Sequence, residues 1–357
     1  MNTEVFTTDY CQPYLNKVMK VLRSLSVAVS LVSLIAISAC STTESKENNS
    51  TTKVATNTAT TATTNHNGHG SNKPKININN AILSELDKLE AKLGIPGLSN
   101  KIQASRPYAN PEELVTKQVI TQPEFDKIKD MVTIEDVVLT GEAKDVDYMT
   151  KLGLMKGHLL VAKELLDQQQ PKQAEPHIGH PVEEIYVDVE EQLNERNVKE
   201  FKTTLVTLQD LVKSKPKDTK IATEFTNSMQ AVDSAIQGIP ENQRNSPQFV
   251  LKVINGLLDA ANSEYGAAIA NGKISAAIEY QDSRGFVNYA NTLYQGIAPQ
   301  MAKQNPEAHK AIETSMAQLS KAWPAAIPPA APVLTPAQVS QLVKTIEQNS
   351  QKITSNG

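Results

Sequence analysis

The sequence predicts an all-α protein, with a small helix-hairpin module ahead of an antiparallel helical bundle. Three observations predict it. Aromatic residues make up only 4% of the 357 residues, and Ala, Leu, Lys, Glu and Gln are abundant, which favours helix over sheet. From about residue 146 to 323, apolar residues recur every three or four positions, as in Leu152, Met155, Leu159, Ala162 and Leu166. Helix starts recur as a cap residue followed by proline: Asn110-Pro111, Ser246-Pro247, Asn305-Pro306 and Thr335-Pro336. The net charge of −4 gives no overall attraction to nucleic acid or anionic lipid.

Residues 1–40 read as a secretory signal: Lys20 and Arg23, then the apolar run SLSVAVSLVSLIAIS, then ISAC. The alternative, a membrane anchor, needs a longer apolar run. The ending resembles the lipobox of bacterial lipoproteins, which implies lipidation of Cys40. Ser41, rather than Asp, then implies the outer membrane, facing the periplasm. Met19 is an alternative start, because MKVLRSL alone opens a complete signal; Cys11 then precedes the protein. With Cys40 lipidated, no disulfide, thiolate metal site or cysteine nucleophile is expected. Residues 41–75 are Thr, Asn and Ser with almost nothing apolar, so a disordered tether is expected, with His66 and His69 solvated in it.

Residues 76–135 change character. Ile82, Leu86, Leu89 and Leu93 stand at helical spacing, and GIPG breaks the run. NPEELVTK opens with Asn110, Pro111 and Glu113, and TQPEFDKIKDMV repeats that grammar with Thr121, Pro123 and Glu124. Four short helices in two hairpins follow. ININNA, LGIPG, RPYANPEEL and FDKIKDMV together resemble the helix-hairpin-helix modules of the ComEA type, DNA receptors of natural transformation. The resemblance implies that backbone groups at Gly94, Ile95, Gly97, Ser99 and Asn100 approach a phosphate, helped by Lys101 and Arg106. Double-stranded DNA, bound without sequence preference, is the implied partner. Two features depart from that pattern. The second hairpin reads Val119-Ile120-Thr121, without glycine, and residues 73–135 hold nine Lys plus Arg against nine Asp plus Glu. The alternative reading is a compact adaptor.

Residues 140–325 form the expected bundle. Beyond the first stripe, helices are expected near 181–195, 198–214, 219–237, 247–270, 284–303 and 306–322. The breaks SKPKD, GIPENQRNSP and KQNPEA are short and polar, so neighbouring helices should run antiparallel. Residues 326–357 hold a proline-rich segment and a last helix, 336–349. The strips beginning at Gly153 and Gly256 align at an offset of 103, matching Ala174 with Ala277 and Tyr186 with Tyr289, as a duplicated pair of hairpins would.

Three of the six histidines, His158, His177 and His180, lie within 23 residues, and Glu183 follows. His158 flanks the apolar stripe of its helix, and His180 shares a face with Glu183 or Glu184. Imidazoles and a carboxylate inside a helical bundle suit Fe, Zn, Mn or Cu. GHPVEE is similar to the G-x-H-x-x-E motif of imelysin-like proteins, a family that includes duplicated periplasmic iron-uptake components; here Gly179 abuts His180. Against a metal, His180 reads as a helix-start residue and His177 as solvated. Glu264, Glu279, Asp282 and Arg284 are a further polar set, equally suited to a charge network that fixes register. No G-x-S-x-G, P-loop, dinucleotide fingerprint or H-E-x-x-H occurs, so neither an enzyme nor a catalytic residue is expected. Three functions are carried forward. The first is DNA binding in competence. The second is a metal-binding or iron-like uptake accessory using His158, His177, His180 and Glu183, with a divalent metal or iron bound. The third is a structural envelope adaptor whose envelope partners the sequence does not name.

Overall fold

The computed structural model describes residues 75–136 and 138–355. The signal segment, Cys40 and the tether up to Pro74, with His66 and His69, lie outside the described residues. The fold is all-α, as composition and spacing predict. Among the described residues, sheet is confined to two pairs of two-residue strands.

The first part runs β1 (Ile76–Asn77), α1 (Leu83–Leu93), α2 (Leu98–Ala104), α3 (Glu113–Thr116), α4 (Gln122–Ile128) and β2 (Val132–Thr133). β1 pairs in parallel with β2, Ile76 opposite Val132, and this ties the two ends together. Ile78, Leu86, Leu89, Ile102, Leu114 and Ile128 fill its own core with no exposed surface. α1 stops at Gly94, which takes the left-handed conformation (φ 67°) that a side chain disfavours, and Gly97 repeats it (φ 74°). α4 opens with the Thr121–Glu124 capping box read from the sequence.

The second part runs α5 (Gly141–Asp167), α6 (Pro171–Ala174), α7 (Pro176–His180), a π-helical turn (Pro181–Ile185), α8 (Tyr186–Glu195), α9 (Lys202–Ser214), α10 (Lys220–Ile236), α11 (Glu241–Arg244), α12 (Pro247–Ala268), β3 (Ile269–Ala270), β4 (Lys273–Ile274), α13 (Ala277–Gln304), α14 (Pro306–Leu319) and α15 (Pro336–Thr354). The helix expected over 284–303 begins seven residues earlier, at Ala277. The reason is local. Asn271 and Gly272 both adopt positive φ (52° and 71°), the Asn-Gly turn of a tight hairpin, so α12 ends and α13 starts within a few residues. Glu279, Gln281 and Asp282 thereby fall on a helix face instead of a loop.

α13 lies against α5 and α12, and α12 also contacts α1. The α5–α13 crossing is unusually close. A Cβ built on Gly285 would lie 2.2 Å from the carbonyl oxygen of Gly157, and one on Gly157 would lie 2.6 Å from the Phe286 ring. Only glycine fits at Gly285, so the two backbones touch there. The strips beginning at Gly153 and Gly256 sit on α5 and α12, where Gly153 faces Leu257 and Gly256 faces Thr150. The proline-rich segment is pinned across the bundle: the Tyr280 hydroxyl donates to Ala325 O (3.2 Å), and the Tyr265 hydroxyl donates to Leu334 O (2.7 Å). Arg284 forks onto Glu164 (2.8 and 3.0 Å), the two-pronged pairing that a guanidinium favours.

Candidate metal centre

His180-Pro181 reads as a helix start, yet the helical path begins at Pro176 and continues through Pro181 as a π turn. Proline has no N–H to give, and a widened turn absorbs the missing bond. One unbroken segment therefore carries both His177 and His180 towards α5 and α13, so His180 is a member of a cluster and not a cap.

The three histidines converge, and their centre is Asp282. His158 Nδ1 and His177 Nδ1 each lie 2.6 Å from Asp282 Oδ1, and His180 Nδ1 lies 3.4 Å from Oδ2. One ligand atom each from His158, His177 and Asp282 falls within 4.8 Å of the others. Two metal–nitrogen bonds of about 2.0–2.1 Å span up to about 4 Å, so small side-chain rotations bring all three onto one ion. His177 is fully enclosed, His158 and Asp282 nearly so, while His180 keeps 27% of its side chain exposed. Phe286 closes one side, its ring edge-on to His158 at 4.9 Å.

The tautomer of His177 is fixed by a neighbour that sequence reasoning missed. Gln281 Nε2 donates to Ala326 O (3.2 Å) and Gln173 Oε1 (2.9 Å), so its Oε1 faces His177 Nε2 at 2.8 Å and accepts a hydrogen bond from that N–H. The other ring nitrogen, Nδ1, lies 2.6 Å from a carboxylate oxygen of Asp282. A ring nitrogen and a carboxylate oxygen at that distance require a proton or a cation between them. A ring held by its far N–H against an acceptor is also how ligating histidines are oriented.

Burial lowers the pKa of His158, even though Asp282 opposes the shift. Burial also opposes charge on His180, but the hydrogen bond and charge of Asp282, with Glu184 and Glu183, outweigh it and raise His180 to about 9. Asp282 is buried, which raises its pKa, but the imidazoles of His158 and His177 more than reverse this and hold it well below the usual carboxylate range.

The cluster opens onto a cavity of about 240 Å³ between the first part and the bundle. His158, His180 and Asp282 are among its lining residues, together with the acids Asp87, Glu90, Glu184, Glu264 and Glu279. Burial, then mutual repulsion, raises the pKa of Glu264 and Glu279, and burial raises Asp87 to about 7. A raised carboxyl pKa means that stability is fully present below the unfolded value near 4 and is lost as pH rises through the folded one. The metal-free protein is therefore expected to melt several degrees lower at about pH 8 than at about pH 5, and Asp87→Asn should flatten the difference. A thermal melt in chelator that rises over this range contradicts the assignment.

Glu183 Oε1 lies 3.5 Å from Gln209 Nε2, and its charge acts on His180, while the grouped ligand atoms are those of His158, His177 and Asp282. Asp282 is the carboxylate that lies beside all three histidines.

The groups expected to hold DNA are bonded inside the protein. Glu90 accepts the N–H groups of Gly97 (3.0 Å) and Ser99 (3.2 Å), the amides that a phosphate would need. The Ser99 hydroxyl is bonded to Asp87. Lys101 Nζ is spent on Gln118 O and Val119 O, both at 2.7 Å, and Arg106 on Ile78 O (2.7 Å) and Ala81 O (2.6 Å). Gly94 N–H goes to Glu90 O, at the end of α1. Ile95 packs on the core of this part, and Asn100 lines the acidic cavity, where a phosphate would be repelled.

Comparison with known families points the same way. Residues 240–357 match the iron permease-associated 4-helix bundle domain. The match covers α12, α13, α14 and α15, the four long helices of the C-terminal bundle, and contains Gln281, Asp282, Glu264 and Glu279. His158, His177 and His180 precede it. No curated protein and no solved structure matches the chain. The family found is not the ComEA-type helix-hairpin-helix that residues 76–135 resemble, and that resemblance is corrected: the fold of four short helices is there, but its phosphate-binding groups are occupied by Glu90 and by carbonyls. The other resemblance, to imelysin-like bundles, is loosely consistent with a helical-bundle match over the C-terminal part. By its description the matched domain is associated with iron permeases, which is closer to the metal reading of the sequence than to the nucleic-acid one. Among the described residues, no helix is long and apolar enough to cross a membrane.

Proposed function

We propose that the protein is an accessory of iron uptake in the cell envelope, carrying a metal ion on His158, His177 and Asp282, with His180 at the exposed edge. The carrying observation is that ligand atoms of His158, His177 and Asp282 lie within 4.8 Å of one another, with His177 Nδ1 2.6 Å from Asp282 Oδ1 and its other ring nitrogen 2.8 Å from Gln281 Oε1. Imidazole and carboxylate donors together suit ferrous iron and its neighbours in the first transition row. The iron permease-associated match over residues 240–357 supports iron as the cargo. The lipoprotein-like start supports an envelope location. Iron would arrive through the acidic cavity, whose charge draws cations, and would meet His180 before the enclosed His177.

The test is metal retention. Full-length protein loaded with Fe²⁺ without oxygen and desalted should hold iron, and His177→Ala should hold one ion fewer per chain. Equal iron in the two proteins, or none in the wild type, would remove this function.

A further inference from the structure

We infer that the cavity beside the histidines holds a second cation, anchored by Glu264 of α12 with Asp87 of α1 across from it. This goes beyond the first position, because neither carboxylate belongs to it. Glu264 is 4% exposed and lines the cavity. Among the described residues, no N–H group or cationic side chain meets its carboxylate; what it meets is another acid, the Asp87 carboxyl, within hydrogen-bonding contact. Buried charge is ordinarily paired or bound to a metal, and a carboxyl against a carboxylate needs a proton or a cation between them. No lysine or arginine is among the residues lining this space.

The other acids show what an answered carboxylate looks like. Glu90 takes two backbone amides and the Ser99 hydroxyl, and Asp87 is oriented by that same hydroxyl. Glu264 has no such donor. The cavity, about 240 Å³, has room for an ion and several of its waters, each of about 30 Å³. An all-oxygen donor set suits a hard divalent cation such as Mn²⁺ more than the imidazole-rich position does. Because Asp87 belongs to the first part and Glu264 to the bundle, the cation would bridge them where α1 meets α12.

Manganese is the probe. Full-length protein titrated with Mn²⁺, followed by calorimetry and by loss of the free-ion paramagnetic signal, should bind two ions per chain. Glu264→Gln, which keeps the shape of the side chain, should bind one, and so should His177→Ala. The doubly substituted chain should bind none. Asp87→Asn is measured in parallel and should match Glu264→Gln, so that misfolding of either variant is recognised. One ion in the wild type, or the same count in the wild type and both carboxylate variants, overturns the second position. If His177→Ala keeps both ions while Glu264→Gln loses one, the histidine position fails and this one stands.

Discussion

Asp282→Asn is expected to weaken metal binding at least about 100-fold, since losing even an outer partner of a ligand costs about 10–100-fold. Among the described residues, Asp282 is the carboxylate that pairs with all three imidazoles, and both of its oxygens are used. The substitution should also lower stability. His180 is held protonated to about 9 by Asp282 and its neighbours, and removing one partner of a buried ion pair costs about 3–5 kcal/mol. His180 retains some exposure, so the lower end of that range is expected. The sign with pH follows. A histidine with a raised pKa stabilises fully below its unfolded value near 6.5 and loses that contribution as pH rises through about 9. The stability gap between wild type and Asp282→Asn should therefore narrow as pH approaches 9. Calorimetric titration with Fe²⁺ and urea melts at neutral and alkaline pH measure both effects. Unchanged affinity together with a pH-independent gap contradicts the role given to Asp282.

The second large effect is expected one turn further along α13. Gly285→Ala places a methyl group 2.2 Å from a backbone carbonyl, with no flexible side chain to yield. The helices must part, at a cost of about 3 kcal/mol or more, the upper range for overpacking. Parting α5 from α13 also withdraws His158 from Asp282, so metal affinity should fall in the same variant although no ligand is changed. Gly296→Ala, on the exposed face of the same helix with nothing within 4 Å, is the control and should be neutral or stabilising by up to about 1 kcal/mol. Urea unfolding of the two variants decides. Equal stabilities mean that the close crossing does not hold the site.

What the sequence shows of this site follows from how local each signal is. His158, His177 and His180 stand out because three imidazoles fall within 23 residues. Helical spacing also places His177 and His180 on one segment. The carboxylate that gathers them is 124 residues from His158, and no periodicity relates positions on separate helices. Asp282 is visible in IEYQDSRGF as a charged residue. Its part in the centre is hidden because the expected helix starts at 284, and the Asn271-Gly272 turn moves that start back. Glu183 is a local signal, since i to i+3 spacing relates it to His180, on which its charge acts. Gly157 and Gly285 carry a weaker signal: glycine inside a helix costs about 0.5–1 kcal/mol, so its presence there asks for a packing reason.

The first part of the chain shows how a motif is shared without its chemistry. GIPG makes the same left-handed hairpin that lets a phosphate approach backbone amides, and the hairpin is there, with Gly94 and Gly97 at positive φ. Glu90, one turn before it, reaches across and takes those amides. A carboxylate in that place mimics the anion. Its identity is plain in the sequence, but its direction depends on how α1 and α2 fold together.

The most direct test is a crystal of the full-length protein soaked in Fe²⁺ without oxygen, with anomalous scattering recorded at the iron edge. The account expects a peak in bonding reach of His158, His177 and Asp282, about 2.0–2.2 Å from the ligand atoms. Absence of a peak at Asp282, with iron scattered over surface carboxylates, contradicts it.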